Sequence, residues 1–468
     1  QVRGLALAAH GGPAQVPGLA GADVQFELSQ AGGQAQLAMR DGHLALPGVF
    51  EDALVAVQRL SASVRWQIEG EQISVQASDL RFANADAEGQ ARLAWHTSAG
   101  STGGAGGGDG RLPGVLELSG QLTRADATRV HRYLPLAVPQ EARHYVRDAI
   151  SAGSASRVQF RVQGGLQDFP FSDGKKGEFR IAAQVRGVEY AYVPASAQQP
   201  GERPWPALSG LGGELIFEGS SMRVQGAAGT LAGAPQLRVH STGARIADLE
   251  HPVVEVDGQI RGPLADMLAL VRNSHVADLT QGALDAASAS GGAELALGLT
   301  LPIDDLARSA VRGSVQLQGN DVRFVPESPL VAGARGSVQF TEDGFTLAGV
   351  QGRALGGPVV LDGGMRAAPG GEAQVRVRAQ GTASAEGLRN AGLWDAVTRL
   401  AGHASGSAAY NLVLGVRRGQ AELLVTSDLV GLALQAPPPL AKAAQEALPL
   451  RLQRRLTPEA AATASAPL

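Results

Sequence analysis

The segments Gln167–Pro194, QDFPFSDGKKGEFRIAAQVRGVEYAYVP, and Pro204–Gly226, PWPALSGLGGELIFEGSSMRVQG, decide how the rest of the chain reads. Phe179, Ile181, Ala183 and Val185 alternate with Arg180, Ala182, Gln184 and Arg186, the period-2 pattern of a strand with one apolar face. After Arg186-Gly187 the apolar parity moves to Val188, Tyr190 and Tyr192, which predicts a bulge or turn at Gly187. Leu215 with Phe217, and Met222 with Val224, predict two further strands around a turn at Glu218–Ser220.

The same pattern extends outward. Val24, Phe26 and Leu28 alternate with Gln25 and Glu27; Ala31-Gly32-Gly33 turns; Leu37 and Met39 follow; Asp41-Gly42 predicts another turn. Leu60, Val64 and Trp66, then Ile73 and Val75, continue the meander, and Ser98–Gly110 reads as a low-complexity linker without the Lys-Ser/Thr of a phosphate loop. Three patches break the rhythm with helical composition: Asp126–Tyr133 with Gln140–Ile150, Leu264–Arg272 with more up to Ala287, and Ala385–Leu400.

Each patch hands over through small residues to a strand: AGSASRVQFRV at 152–162, SGGAELALGL at 290–299 and SGSAAYNLVL at 405–414. LSASVRW near Trp66, LGGELIF near Phe217 and ARGSVQF near Phe340 recur between them. The expected organisation is one continuous elongated β region over 1–468 built of repeats: 1–120 (partial), 121–257, 258–380 and 381–456 (partial), with an Ala/Pro-rich tail at 457–468.

Composition agrees. Aromatics are only 4% of 468 residues against 62 glycines, which favours many short strands of small aliphatics over a compact aromatic core. A net charge of −4 offers no basic field for nucleic acid, and the absence of cysteine excludes disulfides and thiolate metal sites. The chain begins at Gln1, mid-strand, and has no uninterrupted apolar run long enough to span a bilayer, so a piece of a longer protein is expected. Twenty or so strands with an apolar face and three short helical patches to cover it pose a problem of burial. A sheet of that size curls or closes. A curled sheet whose inner face is covered by ligand acyl chains solves it.

RYLP at Arg132–Pro135, LQDFPFSDGKKGEF at Leu166–Phe179, PWPALSGLGGELIF at Pro204–Phe217, GQIRGPLADML at Gly258–Leu268 and ALGLTLPIDD at Ala296–Asp305 together resemble the YhdP-type branch of the AsmA-like family of Gram-negative bacteria. The resemblance covers most of residues 20–435. It implies a mainly β fold: a long twisted antiparallel sheet curled into a U-shaped hydrophobic groove, with short helices at repeat junctions. It implies the periplasmic region of an inner-membrane-anchored protein that carries glycerophospholipids toward the outer membrane, touching both membranes through parts outside this chain. A structural or assembly scaffold for outer-membrane biogenesis is the alternative, and a β-solenoid adhesin is disfavoured by the lack of regular short rungs. The resemblance names no protein partner.

On parity, the expected groove lining is Val158, Phe160, Val162, Phe179, Ile181, Val188, Tyr190, Leu215, Phe217, Leu295, Leu297, Leu299, Val338, Phe340, Tyr410, Leu412 and Leu414, with Arg157, Gln159, Arg161, Arg180, Glu214 and Asn411 facing water. The helical patches are expected along a rim or across the groove mouth. No cofactor and no catalytic chemistry are expected. The nine histidines form no HExxH, and GHASG at Gly402–Gly406 places Ser405 one position late for a nucleophile elbow. Asp126, Asp304 and Asp305 read as turn or cap carboxylates. RLQRRL, with Arg451, Arg454 and Arg455, reads as a solvated helix end in preference to a headgroup contact.

Overall fold

The structure, a computed structural model, describes residues 1–10, 16–98, 113–172, 174–279, 284–305, 308–324, 326, 328–368, 371–417, 420–437 and 441–456. Most of the expected linker and all of the tail after 456 lie outside the described residues. The chain divides into two units: 1–232 with 241–255 and 302–304, and 233–240 with 256–301 and 305–468.

The first unit is a meander. Its strands are β1 (Val2–Leu7), β2 (Gly18–Ser29), β3 (Gly32–Ala45), β4 (Leu54–Glu69), β5 (Gln72–Ala83), β6 (Ala87–His96), β7 (Val115–Asp126), β8 (Ile150–Gly165), β9 (Gly177–Tyr190), β10 (Leu208–Glu218) and β11 (Ser221–Leu231). Each pairs antiparallel with the next in sequence. β12 (Ala234–Ile246) and β13 (Val253–Pro263) contribute residues to both units.

In the second unit β14 (Ser288–Ala289) and β15 (Gly292–Pro302) both pair with β16 (Ala310–Arg323). The meander continues through β17 (Val331–Thr341), β18 (Gly344–Ala354), β19 (Gly357–Ala368), β20 (Gly371–Ser384), β21 (Ala404–Arg417) and β22 (Gln420–Ser427). β23 (Leu432–Leu434) adds to β21, and β24 (Leu450–Leu456) to β22. The fold is mainly β, antiparallel and open, as the alternation requires. RLQRRL is a strand and no helix end: Leu450 and Leu452 alternate with Arg451 and Gln453, which is period 2.

The helices fall where composition placed them. A 3-10 turn at Ala127–Tyr133, capped by the Asp126 carboxylate on the Thr128 N–H (2.9 Å), leads into α1 (Gln140–Ala149). α2 (Leu264–Arg272) and α3 (Val276–Leu279) precede β14; α4 (Ala385–Asn390), capped by Ser384, and α5 (Asp395–Gly402) precede β21. All are connections between antiparallel strands, so they sit at strand ends. In the first unit the connections β3–β4, β5–β6, β7–β8 and β9–β10 share one rim by the alternation of strand direction, and the opposite rim carries the two-residue turns at 30–31, 70–71 and 219–220.

The turn expected at Asp41-Gly42 is absent. β3 runs straight through it, with Asp41 at φ 53° and a register shift between Ala20 and Ala22 on β2. A Cβ on Gly42 would lie 2.4 Å from the Ala20 carbonyl oxygen, so the dipeptide is a bulge against a close strand and not a hairpin. Gly187, at φ 61° inside β9, is the expected bulge.

Candidate functional site

Register turns the alternation of single strands into rows that cross many strands. In the first unit Phe26, Ala35, Val64, Ala77, Leu93, Leu118, Val162 and Phe179 stand opposite one another in succession from β2 to β9. The next row on the same face runs Leu80, Ala91, Gly120, Phe160, Ile181, Phe217 and Met222 from β5 to β11. The residues one position beyond the first row form a row of opposite orientation, Glu27, Gln34, Arg65, Gln76, Ala94, Glu117, Gln163 and Glu178. One face is therefore continuous hydrocarbon and the other is polar.

The second unit repeats the arrangement. Leu295, Val315, Val338, Leu347, Gly363, Val377, Leu414 and Leu423 form one row from β15 to β22. Leu297, Gly313, Phe340, Phe345 and Met365 form a second. Leu361, Ala379, Leu412, Val425 and Leu452 form a third.

Of the expected lining, the register thus brings Phe160, Ile181 and Phe217 into one row, Val162 and Phe179 into another, and Leu295, Val338 and Leu414 into a third. Leu297 and Phe340 share a row, Leu215 stands opposite Ala183, Val188 opposite Leu211, Leu299 opposite Val311, and Tyr410 opposite Gly381. Val158, Val188 and Tyr410 are buried and the others half-buried. Arg157, Gln159, Arg161 and Asn411 are exposed, whereas Arg180 and Glu214 are half-buried. Tyr190 is engaged elsewhere: its hydroxyl lies 2.7 Å from that of Tyr145 on α1.

Residues that sequence reasoning left out complete the rows, among them Leu93, Leu118, Val315 and Leu347, all with the same alternation. Ile216 is 3% exposed yet has the orientation of Arg180 and Arg223; the unbroken run Leu215-Ile216-Phe217 was the signal for an apolar spot on the second face.

A trough of about 840 Å³ opens on the first unit, lined by Gln25, Gln36, Arg65, Arg92, Glu117 and Arg161 among others. Its lining takes the polar rows on both sides of the Phe26–Val162 row, so it belongs to the polar face, and its charges do not suit hydrocarbon.

The rim beside this face is tied together. Arg132 donates to Asp52 (2.7 Å) and to Asp86 (2.9 Å); the Tyr133 hydroxyl donates to the same Asp86 oxygen (2.9 Å) and accepts from Asn84 (2.9 Å). Tyr133 packs edge-on against Phe50, and Pro135 bridges to the Phe50 backbone. From α1, Arg143 and His144 hold Glu51 at 3.1 and 3.0 Å, and their hydrogen bonds keep its carboxyl below the ordinary carboxylate value. On the other side of α1, Asp148 accepts from Arg147 and Ser196, which lowers it to about 2. Burial pushes the Tyr192 phenol, which packs on Trp205, up to about 12. The α1 segment thus clamps the β3–β4, β5–β6 and β9–β10 connections. RYLP, visible as a motif, is the centre of this clamp.

On the opposite rim Phe169, Phe171 and Phe179 meet edge to face, with Phe171 2% exposed and lying against Gly164 and Gly177. Among the described residues Asp248, Glu250 and His251 bring possible ligand atoms within 4.8 Å, with Glu250 and His251 exposed. No described helix is long and apolar enough to cross a membrane.

Such a chain is a β-sheet protein with a multi-strand apolar track and a polar reverse face. A protein-family model described as YhdP protein matches residues 5–466. The chain belongs to the YhdP family. No curated protein and no solved structure matches it.

Proposed function

We propose that the apolar face carries phospholipid acyl chains in the envelope of a Gram-negative bacterium, between inner and outer membrane. The observation that supports this reading is the unbroken row from Phe26 to Phe179. Eight strands at about 4.8 Å spacing make a track of roughly 34 Å, longer than the ~15 Å half-thickness of a bilayer core. The row runs across the strands, so a chain sliding along it meets one apolar side chain after another. Membership of the YhdP family supports the same reading.

The test is a charge on the track. Phe217→Asp and Leu297→Asp place a carboxylate in each unit, and Gln159→Asp, on the polar face, is the control. In a dry filled core either apolar-face change would cost several kcal/mol and cripple folding. On a ligand-covered face water reaches the carboxylate once lipid leaves. The expected result is folded protein with reduced co-purifying phospholipid by native mass spectrometry and lost function in the cell. Folded variants that carry lipid and function as before would make the face a scaffold surface and defeat the proposal.

A further inference from the structure

We infer that glycines opposite aromatic residues set the height of the apolar floor, and with it the clearance available to an acyl chain; the inference rests on the lipid reading above. Five glycines face an aromatic residue in direct register, and in four the ring lies against the glycine: Gly33 with Trp66, Gly120 with Phe160, Gly313 with Phe340 and Gly381 with Tyr410; at the fifth, Gly89 with Phe82, an added Cβ would meet Leu122 instead. They occur in both units.

The geometry shows what each glycine does. A Cβ at Gly120 would lie 2.4 Å from Phe160 Cζ, one at Gly313 2.3 Å from Phe340 Cζ, and one at Gly33 2.5 Å from Trp66 Cζ2. At Gly381 the Tyr410 hydroxyl would be 3.0 Å away. Each ring therefore occupies the place of the missing side chain and lies down across the neighbouring strand. A ring facing a larger residue has to stand away from the sheet, because cross-strand Cβ atoms are only about 4.5–5.5 Å apart. Lying down, it adds one ring thickness to the floor and matches the height of the Leu, Val and Ala side chains in its row. Ring over glycine also covers backbone that glycine leaves bare.

At Gly313 the three nearest atoms to an added Cβ all belong to the Phe340 ring, at 2.3, 2.8 and 2.8 Å, so the ring alone excludes a side chain there. Gly313 carries no left-handed φ, so its backbone accepts any residue. At Gly33, Gly120 and Gly381 an added Cβ would also crowd a backbone carbonyl. Gly313 is thus the position at which ring height can be changed with least disturbance to the strand.

The experiment uses vesicles containing a phosphatidylglycerol with a diazirine in one acyl chain, incubated with the chain, irradiated and mapped by peptide mass spectrometry. In the unmodified chain, labels are expected on apolar-face residues of both units. Gly313→Ala raises the Phe340 ring. Labels on β15–β18 should be lost while those on β6–β8 remain, with the melting temperature confirming a folded protein. Gly313→Ala/Phe340→Ala should recover them, and Phe340→Ala alone should keep them. Undiminished labelling of β15–β18 in folded Gly313→Ala overturns the inference and leaves the lipid reading standing. Loss of labels in Phe340→Ala also overturns it, because then the ring itself holds the lipid. No apolar-face labelling in the unmodified chain defeats the lipid reading instead.

Discussion

Arg132 shows how far a single side chain reaches. It joins Asp52 and Asp86, 80 and 46 residues away, across two strand connections. Among the described residues, Arg132→Ala leaves the carboxylate of Asp86, which is 8% exposed, with the Tyr133 hydroxyl alone. The expected loss is about 1–3 kcal/mol, read from denaturant unfolding; Arg161→Ala, whose 3.5 Å contact to Glu178 is solvated, should cost well under 1 kcal/mol. RYLP was legible in the sequence as a motif, but its partners were not, because hydrogen-bond geometry over such separations depends on where every intervening strand ends. Ile216 was passed over by the same limit: parity assigns a face and says nothing of what the second face needs.

At the scale of elements, helix positions were legible almost to the residue, since Pro135 and Pro139 separate the 3-10 turn from α1, Pro263 ends β13, and the small-residue joints restart the strands. Register was not. It is shifted by bulges, and these occur in adjacent strands: Arg157 in β8, Gly187 in β9, Gly210 in β10 and Gly226 in β11 all have positive φ. Each adds a residue and bends its strand while the apolar face carries on, which is why Val188 follows Ile181 at odd spacing. Asp41-Gly42 mimics a hairpin turn for the same reason. The clamp made by α1 carries a pH dependence. Glu51 has its pKa depressed by His144 and Arg143, so its contribution is present above the ordinary value of 4.5 and is lost as pH falls through the depressed value. Glu51→Gln should therefore lower the melting temperature at pH 7, and the difference from the unmodified chain should shrink as the pH falls below the ordinary carboxylate value.

At the scale of the molecule, composition and fold agree: 4% aromatics cannot fill a thick core, and Trp66, Phe160, Phe340 and Tyr410 lie over glycines of the apolar face. Phe26 at 44% and Leu28 at 66% exposure show hydrocarbon left open near one end of the first rows. A lipid-stripped preparation should bind an apolar dye such as anilinonaphthalene sulfonate strongly, and phospholipid should displace it. A stripped chain that stays dark with the dye would mean the rows are covered by protein.

The meander has a consequence for how the chain reaches this state. Almost every strand pairs with its neighbour in sequence, so hairpin closure needs loops of a few residues to a few tens of residues. All-β proteins are slow to fold when their pairings are remote, because closure entropy is spent before contacts repay it. Here the topology is local in spite of the β content. Assembly can advance like a zip, each completed hairpin offering an edge to the next strand as it emerges, from whichever end is released first. Pulling one terminus in an optical trap should then release the sheet in small successive steps of strand or hairpin size.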